Sequence, residues 1–252
     1  MEPKICIVTK NFPEHFDIIV SLMETGYLSG IVLQTDTGSI PEGKWFDKFF
    51  DYKKQSEHKF FGNKYNNISR IKTITVKETE INTEKTCKFI NSLNPAVTIF
   101  YDIDIIGNEI LSKINCEKWK IHEGYVQKFR GFYCNFHACL ENKAQYVCFS
   151  LIKFDDVKDE GDIIHQTSGN FGKEDTVTDL SYRCLRKMGY DIPKIIEKLA
   201  AGSIIYKKQD GGGRYYPKDA FKEADIQNLC ENHSFLSAGL FSADTPDFFK
   251  QF

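Results

Sequence analysis

Apolar and polar residues along the first third of the chain fall into a strand and helix rhythm. "KICIVTK" is a short β-branched run. In "NFPEHFDIIVSLMETGY" the apolar residues Phe16, Ile19, Leu22 and Met23 recur at helical spacing, and Gly26 stands where a C-terminal cap belongs. "SGIVLQTD" follows as a second buried strand. Strand, helix, strand is the opening of a parallel α/β sheet.

Residues 36 to 70 break this rhythm. "GKWFDKFFDYKKQSEHKFFGNKYNN" is aromatic and basic together, with no clean period. A helix packed through its Phe side chains is favoured over a substrate-facing insertion, because aromatic stripes are usually core. The rhythm resumes with the strand "KTITV" and the helix "INTEKTCKFINSL", which Asn82 could cap with Glu84 in its first turn. "AVTIFY" and "WKIH" are strands separated by a short helix "GNEILSKI", and a helix near "CNFHACLENK" leads to the long strand "QYVCFSLIKF". The acidic turn "FDDVKDEGDII" runs into one more strand. From about residue 172 two helical stretches, "TDLSYRCLRKMG" and "IPKIIEKLAAG", precede "SIIYKKQDGGGRYYPK", whose glycine-rich centre predicts a hairpin. The expected organisation is an α/β domain over 1–171 and a helical and hairpin extension over 172–252.

Composition narrows the function classes. The chain has 252 residues, is 41% hydrophobic and 27% charged, and carries 33 Lys plus Arg against 35 Asp plus Glu, a net charge of −2. That balance offers no broad field for nucleic acid. None of the eight cysteines forms a CxxC pair, no metal-ligand spacing stands out, and reduced core thiols are expected. "KICIVTK" is too short and too soon interrupted for a signal peptide, and no apolar run reaches membrane-spanning length, so a cytoplasmic location is expected.

Familiar nucleotide and nucleophile motifs are absent: there is no GxGxxG after the first strand, no GxxxxGK[ST] and no GxSxG. An α/β sheet still tends to bind ligands at the C-terminal ends of its strands. His122 lies at such an end, and the turn holding Asp159 can fold back beside it. An imidazole with a carboxylate brought beside it would make a proton-transfer pair. On these two residues alone, a structural histidine competes with that reading.

The wider context is more specific. "KIHEGYVQKFRG", an aromatic-rich helix, a strand and "VKDEGDII" together resemble the folate-dependent formyltransferase family, which has an Asn-x-His at a strand end, a loop closing in Arg-Gly, and an Asp-x-Gly some thirty residues on. The resemblance spans roughly residues 4 to 166 and includes "NPAVTIFYDIDIIGNEIL". It implies a Rossmann-like formyltransferase fold and transfer of a formyl group from 10-formyltetrahydrofolate to an amine. His122 matches the family histidine, which stabilises a tetrahedral oxyanion, and Asp159 matches the aspartate, which moves protons. Asp104, Ile105, Ile106 and the turn around Val157 would line the pterin pocket by the same resemblance.

Lys120 is the departure, standing where the family has asparagine. Lysine could replace the amide as the electrophile, or pair with Asp159 and weaken it as a proton acceptor. Three functions are therefore carried forward: an active N-formyltransferase, a catalytically degenerate folate- or ligand-binding protein, and a formyltetrahydrofolate hydrolase or related acyl enzyme. The acceptor is expected to be a small amine, with an amino sugar on a nucleotide carrier as one candidate; no nucleic-acid or membrane partner is expected, and a homodimer is an option. His137 reads as structural and Arg130 as holding its loop. His165 is divided between pocket and surface, and the "DGGG" turn reads as hairpin geometry rather than a phosphate cradle.

Overall fold

The first strand is buried on both faces, and the layers of the molecule follow from that. In the computed structural model, which describes residues 2–35, 41–62, 68–103, 106–154, 159–172, 175–233 and 246–252, β1 (Ile5–Lys10) sends Ile5 and Ile7 into one apolar layer and Cys6 and Val8 into another. Strands covered on both sides read as continuous apolar runs, the pattern the sequence carries here. After α1 (Pro13–Glu24) the chain adds β2 (Leu28–Gln34), α2 (Lys44–Phe61), β3 (Lys72–Val76), α3 (Glu78–Ile81), α4 (Glu84–Leu93) and β4 (Val97–Tyr101). Next come α5 (Asn108–Ser112), β5 (Glu117–Glu123), β6 (Phe129–Gly131), α6 (Cys134–Leu140), β7 (Cys148–Lys153) and β8 (Ile163–Ser168). The last part holds α7 (Val177–Ala200), β9 (Arg214–Tyr216) and α8 (Glu223–His233).

Seven strands form one sheet in the order β3-β2-β1-β4-β5-β7-β8, parallel from β3 to β5 and antiparallel through β7 and β8. The chain runs outward from β1 to β3 and then returns to β4 on the other side of β1. That reversal opens a crevice at the carboxyl ends of β1 and β4, where such sheets hold ligands. Helices α1, α2, α6 and α7 cover one face through residues such as Phe16, Phe49, Phe136 and Leu185, and α3, α4 and α5 cover the other through Ile81, Ile90 and Ile110.

The aromatic stretch is largely the core of α2, with Phe46, Phe49 and Phe61 buried. Three local expectations change. Thr83, not Asn82, occupies the N-cap position of α4, and Asn82 turns its side-chain oxygen to the Gly107 N–H at 2.8 Å. The two helical stretches after residue 176 are one helix, α7, running through Pro193. Proline removes one backbone donor, but Leu185, Met188, Ile192, Ile195 and Ile196 form one buried face across it. The expected hairpin does not form: β9 pairs in parallel with β6, and Lys207 bridges to Ile163 at the edge of β8. Both arms meet unpaired backbone elsewhere, and the glycines serve a broader turn.

All eight cysteines are free thiols, each buried except Cys116. Among the described residues no helix is long and apolar enough to cross a membrane, and no His, Cys, Asp and Glu cluster is arranged to hold a metal.

Candidate functional site

Alternation along β5 sets the first two site residues. Trp119 and Ile121 point into the core under α1 and α7, so Lys120 and His122 point to the opposite face. There the Lys120 ammonium lies 5.2 Å from the centre of the Phe154 ring. Antiparallel pairing sets His122 opposite Ser150 and Lys120 opposite Ile152. The turn between β7 and β8 brings Asp159 back to the same place.

Lys120 Nζ lies 2.5 Å from Asp159 Oδ1, and His122 Nδ1 lies 3.5 Å from Asp159 Oδ2. The Gly131 N–H donates to Asp159 Oδ2 at 3.1 Å, and His122 Nε2 sits 3.1 Å from the Phe129 carbonyl oxygen. His122 and Asp159 are buried, whereas a quarter of the Lys120 side chain is exposed. Gly131 has φ +95°, and a Cβ there would meet the Tyr216 carbonyl oxygen at 2.1 Å. Only glycine lets β6 approach β9 this closely while presenting its N–H to Asp159.

The electrostatics of the three groups are coupled. Burial works to raise the Asp159 carboxyl, but His122, the Lys120 ammonium and the Gly131 N–H outweigh it and hold the group below the usual carboxylate range. Burial pushes His122 down, helped by Lys120 and Arg130 and opposed by Asp159. A neutral ring whose Nε2–H donates to Phe129 leaves the Nδ1 lone pair facing the carboxylate. The two bases then face each other with no proton between them, an arrangement suited to taking one up.

Arg130 is spent on its own loop. Its Nε and Nη2 donate to the Gly213 carbonyl at 3.0 and 2.6 Å, and Nη1 pairs with Glu160 at 2.5 Å. His137 is stacked on Tyr216 at 4.1 Å, and burial pushes its imidazole down to about 4. His165 reaches neither pocket nor surface. It is buried, with Nε2 3.0 Å from Asp191 and Nδ1 accepting the Gln251 N–H, because the 246–252 segment covers β8. Ile106 is buried beside Val76, Phe100 and Phe154. Asp104, Ile105 and Val157 lie outside the described residues.

A second group of polar residues escaped the sequence reading. Past the end of β1, His15 Nδ1 accepts the Lys10 N–H at 3.1 Å and lies 2.6 Å from the Thr9 hydroxyl. Its Nε2–H is therefore turned toward Asp102 Oδ2 at 3.4 Å and Glu14 Oε1 at 3.9 Å, without hydrogen-bond geometry to either. Lys53 lies in the field of Glu14, Asp102 and Glu123, which raises its ammonium against the lowering effect of burial. Asp102, just past the end of β4, keeps 52% of its side chain exposed, with the Lys10 ammonium 3.8 Å from its Oδ1. Tyr101 pairs with Ile121, so Asp102 follows on β4 where His122 follows on β5. The signal was present as "PEHF" after the first strand, a glutamate and a histidine in a helix's first turn at the switch point.

No protein-family model matches the chain, and no curated protein sequence does. Solved structures match its fold. A phosphoribosylglycinamide formyltransferase from Anaplasma phagocytophilum superposes with a TM-score of 0.60 at 14% identity, over 86% of this chain and 100% of that one. A 4-N formyltransferase from Francisella tularensis gives 0.58 at 13% identity, over 87% and 78%. A formyltransferase from Anoxybacillus kamchatkensis, solved with a UDP-linked formamido sugar and tetrahydrofolate, gives 0.55 at 19% identity, over 84% and 98%. At these identities the likeness speaks for architecture, and the architecture of this chain is the formyltransferase fold.

Proposed function

We propose that the protein is an N-formyltransferase that moves a formyl group from 10-formyltetrahydrofolate to a small amine. The observation that carries this reading is the convergence of Lys120, His122 and Asp159, with contacts of 2.5 and 3.5 Å, on the sheet of a formyltransferase fold. The residue types suit the donor, which supplies an electrophilic formyl carbon. Lys120 offers a partly exposed cation to the oxygen on which negative charge develops, and a positioned donor of this kind is often the largest catalytic term. His122 and Asp159, with no proton between them, receive the proton that the attacking amine must lose. Asp104, Ile105, Ile106 and Val157 are assigned to the pterin side of the site.

The acidic groups around Asp102 support an amine as acceptor. Glu14, Asp102 and Glu123 stand there against Lys10 and Lys53, and the half-exposed Asp102 carboxylate can receive the amine-bearing end of a substrate. An amino sugar on a nucleotide carrier is the first acceptor to try, with its diphosphate lying away from these carboxylates, in a cytoplasmic enzyme.

A second reading has a specific observation in its favour: the Lys120 ammonium is paired with the carboxylate it would have to leave free. A folate-binding protein with little turnover would keep that pair. Mass spectrometry of a panel of amines incubated with protein and 10-formyltetrahydrofolate separates the two. Formylated product from the wild type, reduced at least about a hundredfold in His122→Asn and Asp159→Asn, is expected. Folate binding without product on any amine would favour the second reading, and formate released with no acceptor present would favour a hydrolase.

A further inference from the structure

The aim of the Asp159 carboxylate depends on a backbone conformation that its own chain segment does not favour. Asp159 has φ +58°, in the left-handed region, where a side chain's Cβ crowds the following carbonyl at a cost of roughly 1 kcal/mol. Two residues on, Gly161 lies so close to β7 that a Cβ would stand 1.9 Å from the Lys153 carbonyl oxygen, so the turn cannot shift in that direction. On its other side the turn is held by a residue fifty positions away. The Gln209 amide nitrogen donates to the Asp159 carbonyl at 2.9 Å and to the Gly161 carbonyl at 2.6 Å. Both of its N–H bonds are used, and both go to the turn.

Gln209 is itself anchored at either end of its segment. Lys207 and Ile163 exchange backbone hydrogen bonds of 2.7 and 2.9 Å at the edge of β8. Beyond it, Gly213 receives Arg130, and the Arg214 N–H donates to Lys128 at 2.9 Å beside β6. Residues 207–214 thus span from β8 to β6, passing the Asp159 turn midway. The carboxylate must meet Lys120, His122 and the Gly131 N–H at once, and a change in the Asp159 backbone would swing it away from all three. We propose that Gln209 is a positioning residue, whose amide clamps the carbonyls of Asp159 and Gly161 and thereby holds the Asp159 carboxylate on Lys120 and His122. Its catalytic consequence rests on the formyltransferase reading; its structural consequence does not.

Gln209→Leu keeps the volume and removes both donors, and Gln209→His can return one. In Gln209→Leu, kcat for formyl transfer is expected to fall about tenfold to a hundredfold, the usual effect of a displaced catalytic group, with KM for amine and donor nearly unchanged. Gln209→His should recover part of the loss. The 15N chemical shifts of the His122 ring, read by NMR in folate-free protein, should move in Gln209→Leu as the carboxylate leaves Nδ1, and return toward wild type in Gln209→His. Unchanged ring shifts in a folded Gln209→Leu would overturn the proposal, as would an unchanged kcat in an active enzyme. If the wild type transfers no formyl group, the functional reading falls and the ring shifts alone decide the role of Gln209. Should Gln209→Leu not fold, Gln209→Ala, which also lacks both donors, takes its place: a lowered kcat with moved ring shifts supports the clamp, and wild-type values of both overturn it.

Discussion

At the scale of single residues the chemistry turns on Lys120. Its ammonium is the closest charge to Asp159 and a chief reason that the carboxyl stays below its usual range. Lys120→Met keeps the stem and removes the charge, leaving a buried carboxylate with His122 and one backbone donor. Formyl transfer is expected to fall about a hundredfold to a thousandfold, the loss typical of an oxyanion donor. The acidic limb of the rate profile should also move to higher pH, because a carboxyl released from its cation protonates more readily. Lys120→Asn, which restores the family residue, should retain more activity than Lys120→Met, since the amide can still donate. A pH–rate series on the two variants checks both statements, and equal activity in both would remove Lys120 from the mechanism. Lys120, His122 and Asp159 could be brought together from sequence because a motif marks them. Gln209 could not, since a glutamine beside a glycine-rich turn has no periodicity and its two acceptors are backbone carbonyls fifty residues away.

Elements show where local pattern suffices and where tertiary packing overrides it. The parallel strands were legible because burial on both faces leaves an uninterrupted apolar run. Two helical stretches are predicted where packing makes one helix through Pro193, and the Asp210 and glycine turn predicts a hairpin although β9 finds β6 instead. Turn chemistry states that a chain reverses or bends there, not which strand its arms will meet. The single helix α7 has two testable consequences. Thr176 and Asp179 form a reciprocal cap, each side chain accepting the other's N–H at 3.1 Å. Thr176→Ala should therefore cost about 1 kcal/mol. Pro193→Ala restores the missing donor in mid-helix, which the greater entropy of the unfolded chain only partly offsets, for a net gain of about 1–2 kcal/mol. Urea unfolding of both variants measures these effects. A loss of stability in Pro193→Ala would mean that the packing around α7 depends on a proline-induced distortion.

For the whole molecule, the dependence of stability on pH reports how crowded carboxyls are balanced against buried imidazoles. Burial holds His137 down to about 4 and pushes His122 down as well. An imidazole depressed on folding contributes stability that is complete above its unfolded value, roughly 6.5, and is lost as pH falls toward its folded value. Glu57 has the opposite sign. Burial and the neighbouring Glu14 push its carboxyl up to about 7, so its ionisation costs folding free energy as pH rises through the interval above roughly 4.5. The histidine and glutamate effects therefore oppose each other between roughly pH 4.5 and 6.5, which should leave the wild type with a shallow dependence there. Glu57→Gln removes one side of this balance. It should match the wild type near pH 4.5 and exceed it at pH 8 by about 1–2 kcal/mol, after allowance for solvent access to Glu57. Its stability should then fall more steeply than that of the wild type on acidification. Denaturant unfolding at pH 4.5, 6 and 8 compares the two proteins directly, and a Glu57→Gln variant no more stable than wild type at pH 8 would show that burial and Glu14 do not crowd its negative charge.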